Sequence, residues 1–191
     1  MIAELGLTAL WLAAALAALQ LVCGALATKT SESDLALITR PVAILQGGLV
    51  AFSFAMLIWV FAITDLSVKL VAANSHAAKP LVFKLAGAWG NHEGSMLLWV
   101  TVMALAGALI ALVERRLPER TMQATLAAQG FVALGFYAFL LLSSNPFERL
   151  PLPAAEGMGL NPLLQDLGLA FHPPTLYFGY VGLSVAFSFA V

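Results

Sequence analysis

Residues 41–63 read PVAILQGGLVAFSFAMLIWVFAI, an unbroken run without Asp, Glu, Lys or Arg. A bilayer core about 30 Å thick is crossed by about 20 apolar residues in helical form. Four further segments meet the same test, at about 5–27, 94–113, 122–142 and 173–191. The run therefore predicts an all-α fold: a polytopic integral membrane helix bundle with about five transmembrane helices.

The whole chain agrees with this stretch. Of its 191 residues 61% are hydrophobic and 10% charged, with a mean hydropathy of +0.94. Soluble domains are about half apolar and about a quarter charged. A net charge of −1 leaves no basic stripe to track phosphates, which excludes a general nucleic-acid binder. The one cysteine, Cys23, lies inside an apolar run. It reads as a small buried hydrophobe, and no disulfide, CxxC pair or cysteine-based zinc site is possible within the chain. Ala25-Leu26-Ala27 resembles a signal cleavage site. However, Glu4 and no basic residue precedes the run, which outlasts the usual 7–15 or so residues of a signal core. The first run is read as a retained helix. The last reaches Val191 without a cap or polar stop, as expected of a fragment or a split-gene product.

The connections fall into two classes. Thr28–Arg40 and Glu114–Thr121 are short and hold Lys29, Arg40, Arg115, Arg116 and Arg120. Thr64–Glu93 and Ser143–His172 are long and hold Lys69, Lys79, Lys84 and Arg149. The greater Lys/Arg density puts the short connections in the cytoplasm. The N-terminus and both long loops then face the other compartment, the periplasm in a Gram-negative cell. These loops are too apolar for disordered tails. LVFKLAGAW (81–89) predicts a short interfacial helix. In GLNPLLQDLG (159–168), Asn161 suits an N-cap, Pro162 the first helical position and Gly168 a stop.

Two stretches carry residues with chemistry. In WGNHEGSMLLW (89–99), Gly90 and Gly94 permit a tight entry and Asn91 or Ser95 a cap. His92 and Glu93 sit beside Trp89 and Trp99, as a site for a flat ligand or metal would have them. An interfacial cap with an aromatic belt explains the same residues without any ligand. No second histidine follows to make HExxH, so a zinc protease is unsupported. In FHPPTLYFGYVG (171–182), Pro173 suits a first helical position, placing His172 at the helix N-terminus. The positive end of a helix disfavours imidazolium, leaving a neutral ring with a lone pair for a metal. Tyr177, Phe178 and Tyr180 follow as one wall for a planar ligand, or as an interfacial belt. His76, in ANSHAAKP (73–80), reads as a solvated loop residue. Haem suits this inventory better than zinc, needing an imidazole and aromatic walls, whereas zinc wants three or four clustered ligands.

WGNHEGSMLLW and NPLLQDLGLAFHPPTLYFGYVG together resemble the N-terminal part of the CcmF/NrfE-type cytochrome c haem lyase subunits, over about residues 1–191 and most densely at 84–99 and 161–182. The resemblance implies cytochrome c maturation: binding haem at the outer membrane surface and helping to ligate it to a CxxCH apocytochrome c. It implies that His172 is an axial ligand to haem iron; Pro173, Tyr177 and Tyr180 join it as candidate cofactor-binding residues on their position beside it. Trp89, His92 and Glu93 match the family's W-G-x-H-E-G-S segment and are candidates only. The implied cofactor is haem b, as substrate and as a structural haem. Implied partners are the haem chaperone CcmE, CcmH/CcmI-type thiol and apocytochrome-binding subunits, apocytochrome c and the remainder of a longer chain in the bacterial inner membrane. The family's Trp-rich segment, its second external histidine and its membrane histidines are expected beyond Val191. Two other readings stand beside this one. An ion- or proton-translocating subunit is disfavoured by spans without acids or bases. A haem exporter or passive scaffold is poorly separated from a lyase.

Overall fold

In the computed structural model the described residues are 1–29 and 33–190. They form α1 (Ile2–Lys29), α2 (Ser33–Ala62), α3 (Lys69–Asn74), α4 (Leu81–Ala86), α5 (His92–Val113), α6 (Glu119–Leu142) and α7 (Leu167–Ala190). A 3₁₀ turn, Pro162–Leu164, lies in the second long loop. Among the described residues the nearest approach to a strand is one bridge, Val68 with Arg149.

The long helices α1, α2, α5 and α6 pack as a bundle. α1 lies against α2 and α6, α2 against α5, and α7 against α5 and α6. Leu10, Leu57, Phe61, Leu97, Tyr137 and Leu140 fill the centre and are fully buried. Small residues set how close α1 and α6 come. A Cβ on Gly24 would lie 2.9 Å from the Gln123 carbonyl, and one on Gly130 would lie 3.0 Å from that of Ala17. Hydrocarbon gives polar groups no alternative partner, so buried polar side chains serve as interhelical ties. Gln20 Nε2 donates to the Leu126 carbonyl at 2.7 Å, Gln46 Nε2 to the Tyr137 hydroxyl at 3.0 Å, and Ser53 Oγ to the Gly6 carbonyl at 2.8 Å. Cys23 is buried, as its setting predicted.

Among the described residues four helices, α1, α2, α5 and α6, are long and apolar enough to cross a membrane. The fifth expected span, α7, does not join that set. Between residues 172 and 180 it carries His172, two prolines, Thr175 and two tyrosines, which dilute the apolar run. Several boundaries also differ. α2 starts at Ser33, so much of the expected Thr28–Arg40 connection is helix, with Pro41 inside it and residues 30–32 outside the described ones. α3 was not foreseen, and α4 stops at Ala86, short of the expected 89. Asn161 does cap, accepting from Leu163 N at 3.0 Å, but only the 3₁₀ turn follows. Gly168 stops nothing and lies in the first turn of α7. Val191, where the last span was expected to end, lies outside the described residues.

The two long loops close over one end of the bundle. Lys69 N donates to the Glu148 carbonyl and Leu150 N to that of Ser67, both at 2.9 Å. Met158 N reaches the Ala72 carbonyl at 2.8 Å, and Gly159 N that of Ser75 at 3.0 Å. Gly159 sits at φ +85, a conformation that favours glycine. Arg149 completes the closure. Its Nε and Nη2 fork onto Glu4 of α1 at 2.8 and 3.0 Å, and its Nη1 contacts Asp65 Oδ2 at 3.1 Å and the Ser67 hydroxyl.

Candidate functional site

The turn between α4 and α5 is built by WGNHEGS. Asn91 caps α5, its Oδ1 accepting from Gly94 N at 2.7 Å while its Nδ2 donates to the Gly87 carbonyl at 2.5 Å. The chain doubles back so closely that a Cβ on Gly94 would collide with the Ala88 carbonyl. His92 is therefore the first residue of α5, on the long-loop face. Its Nδ1 lies 3.1 Å from the Ser144 hydroxyl and its ring stands edge-on to Phe139, with centroids 5.5 Å apart. Glu93 is half-buried, and its carboxylate pairs with no described residue.

The sequence reading put His172 at a helix N-terminus, and the structure corrects this. α7 begins at Leu167, which puts His172 inside the helix with Pro173 and Pro174 behind it. Proline inside a helix withholds the N–H that the carbonyl four residues earlier would accept. For Pro174 that carbonyl belongs to Ala170, a residue only 4% exposed. A buried carbonyl without a donor costs about 1–3 kcal/mol. Here the indole of Trp89 supplies the donor, with Nε1 at 2.8 Å from the Ala170 oxygen. The two motif stretches, 81 residues apart, thus meet through one hydrogen bond that repairs the proline break. The N-terminal argument for a neutral ring no longer applies.

His172 itself is exposed, and its imidazole makes no hydrogen bond or ion pair with the described residues. Pro173 is half-buried beside it. The tyrosines are not gathered around it. At about 100° per residue, Tyr177 lies roughly 140° around the helix from His172, and Tyr180 roughly 80°. Both rings instead meet Trp99 of α5, at 5.4 Å for Tyr177 and 5.6 Å for Tyr180, with Phe136 of α6 at 6.1 Å. This cluster docks α7 on the bundle and borders an apolar groove of about 340 Å³. His92 and His172 belong to different contacts: His92 is held by the end of α6, while no described residue holds the His172 imidazole.

His76 is half-buried and takes part in loop pairing, with Nε2 3.8 Å from Glu156 Oε2. The backbone amides of Gly157 and Ala77 hold the Glu156 carboxyl below its usual range. Burial, with help from the charge on Lys84, pushes the neighbouring Lys79 amine down to about 8. No three His, Cys, Asp or Glu side chains cluster as a metal site among the described residues. An axial haem ligand needs only one imidazole, and His172 offers one.

Sequence reasoning missed three of these residues: Ala170 as acceptor, and Ser144 and Phe139 as the seat of His92. The first had a signal, since a Pro four places after a buried residue leaves an acceptor open. The other two are long-range contacts with no local signature.

The sequence pattern of the family described as cytochrome C assembly protein matches residues 89–191. The chain is 50% identical over 191 residues to the cytochrome c-type biogenesis protein ccl1 of Rhodobacter capsulatus, covering 100% of this chain and 29% of that protein. It is 50% identical to the CycK protein of Rhizobium meliloti, over 100% of this chain and 28% of that one. It is 48% identical over 143 residues to CcmF of Escherichia coli, over 74% and 22% of the two chains. A solved structure of cytochrome c heme lyase CcmF superposes with a TM-score of 0.85 at 26% identity, covering 98% of this chain and 29% of that one. The chain thus spans under a third of the length of these relatives.

Proposed function

The chain belongs to the cytochrome C assembly protein family, and from that premise we propose that it is the N-terminal part of a haem lyase component in cytochrome c maturation. The observation that supports this best is an exposed His172 with an uncommitted imidazole. It sits beside a helix break that Trp89 mends. Haem is the substrate in this reading. His172 takes one axial position on the iron, and the rest of the longer chain supplies the other. Pro173 and the exposed Tyr180 flank the porphyrin edge, while Trp89 fixes the segment that carries His172. Tyr177, half-buried against Trp99, anchors that segment and does not contact ligand. His92 and Glu93 stay candidates at the start of α5, where His92 is seated on Ser144 and Phe139.

The bond-forming step belongs to the bound reactants. Each thiol of a CxxCH apocytochrome adds across one haem vinyl group: sulfur bonds to one vinyl carbon and the thiol proton ends on the other. No electrons are gained or lost overall. The protein's part is to hold both reactants in place, which lowers the entropic barrier. The described residues offer no interior histidine to a structural b-type haem: His76, His92 and His172 lie in loops or on the long-loop side. Such a haem would draw its ligands from elsewhere in the full chain. In the cell we place the long loops in the periplasm and the bundle in the inner membrane. CcmE would deliver haem, and CcmH/CcmI-type subunits would present the reduced apocytochrome.

The test is His172→Ala in the complete protein, with His76→Ala as control. The expected result is loss of co-purifying haem at this site and of cytochrome c yield in the first variant alone. Wild-type haem content and maturation in His172→Ala would overturn the assignment.

A further inference from the structure

At the opposite end of the bundle, we propose that the groove between α2 and α5 is a binding site for an anionic phospholipid. Its acyl chains would lie on the apolar walls and its phosphate at Arg115 and Arg40. The groove encloses about 890 Å³, with walls of Leu37, Ile44, Leu45 and Leu112 and a rim of Arg40, Arg115 and Glu119. Left to water it would hold roughly 30 molecules, at about 30 Å³ each, against mainly apolar walls. Leu37, Leu45 and Leu112 are 72%, 59% and 51% exposed, so the walls open sideways to the surroundings of the bundle. Around a membrane-spanning helix those surroundings are acyl chains.

The charges on the rim are unevenly committed. Arg40, 21% exposed at its side chain, donates through Nη1 to the Ala111 and Glu114 carbonyls at 3.2 and 2.8 Å. It thereby caps the negative end of α5. Its Nη2 lies 3.6 Å from Glu119 Oε2, and the other oxygen of that carboxylate accepts from Gln123 at 2.6 Å. Glu114 is also occupied, its Oε1 accepting from the backbone N–H groups of Arg116 and Leu117 at 2.6 and 3.2 Å. Both acids therefore have partners within the protein. Arg115 has no ion pair among the described residues, yet it lines the groove. One uncompensated guanidinium over an apolar slot matches a ligand with an anion attached to a hydrocarbon chain. This end also carries Lys29, Arg116 and Arg120. Basic pockets between helices on the cytoplasmic side are where anionic head groups bind, and bacterial bilayers supply them locally. A soluble anion would gain nothing from the leucine walls. An apolar peptide segment would gain nothing from Arg115.

The experiment uses the full-length protein in nanodiscs of phosphatidylcholine containing a minor fraction of phosphatidylglycerol. After gentle detergent extraction, the phospholipids retained per protein are counted by native mass spectrometry. Wild type should retain phosphatidylglycerol several-fold above its share of the disc. Arg115→Gln, which removes charge but no packing, should reduce that enrichment several-fold. Leu45→Trp, which fills the slot, should reduce retention of both lipids, and moderate salt should weaken the wild-type preference by screening. Equal retention of both lipids by wild type would overturn the proposal. So would enrichment unchanged by both substitutions, as expected if other helices of the longer chain cover the groove. Haem binding is a separate readout and should stay at wild-type level in Arg115→Gln, so this test does not depend on the haem assignment.

Discussion

Trp89→Phe isolates the hydrogen bond that joins the two motif stretches. The phenyl ring keeps most of the buried apolar area but has no N–H, so the Ala170 carbonyl loses its donor. Pro174 prevents the helix from supplying another, and Ala170 is too buried to find bulk water. An unsatisfied buried acceptor costs about 1–3 kcal/mol. Taking about 2 kcal/mol, and a factor of ten per 1.4 kcal/mol, local opening of the first turns of α7 should become roughly 30-fold more frequent. Hydrogen exchange followed by mass spectrometry on the peptide covering residues 161–176, in reconstituted full-length protein, reads this directly. The decisive partner is Pro174→Ala, which restores an N–H four residues after Ala170. In the double variant the helix makes its own bond, and most of the lost protection should return. Wild-type exchange in Trp89→Phe would refute the reasoning, and so would a double variant that opens as readily as the single one.

Three further outcomes are expected. Gly94→Ala drives a Cβ into the Ala88 carbonyl and should cost about 1–3 kcal/mol, whereas Gly135→Ala meets nothing within 4 Å and should be close to neutral. Thermal melting in detergent separates the two. His92→Ala removes the contacts to Ser144 and Phe139 and should cost about 1 kcal/mol without loss of haem at His172. A parallel loss of haem would give His92 a larger part. Burial alone would raise the Asp65 carboxyl, but hydrogen bonds from Ser67 and the charge of Arg149 hold it below the usual range. A depressed folded value stabilises above the unfolded pKa of about 4, and that stability is lost as pH falls through the folded value. Protease nicking of the long loops should therefore rise on acidification below about pH 4, and Asp65→Asn should flatten the profile.

The membrane bundle was legible because its signal is local and one-dimensional. A run such as 41–63 has no second interpretation at that length, and Asn91 and Asn161 announce their caps within three residues. α7 was misread for the opposite reason. Two adjacent prolines normally mark a helix start, and nothing within 171–182 shows that an indole from residue 89 will satisfy the carbonyl they strand. The same limit applies to the site. His172 was singled out by residue type, but its place inside α7 was not foreseen, and the partners of His92 and of both tyrosines lie on other elements. Spacing along one helix suggested that Tyr177 and His172 share a wall, whereas a turn of roughly 140° separates them.

Arg149 gives the loop surface a schedule as well as a shape. Its carboxylate partner on α1 lies 145 residues earlier in the chain. α1 ends at Lys29, so at about 5–20 residues per second it is complete for roughly 6–24 s before Arg149 has been made. Both long loops must then be in place beside α1 before the guanidinium can reach Glu4 and Asp65 together. The surface that presents His172 is thus the last part of this region to form, completed only after the helices beneath it are in place.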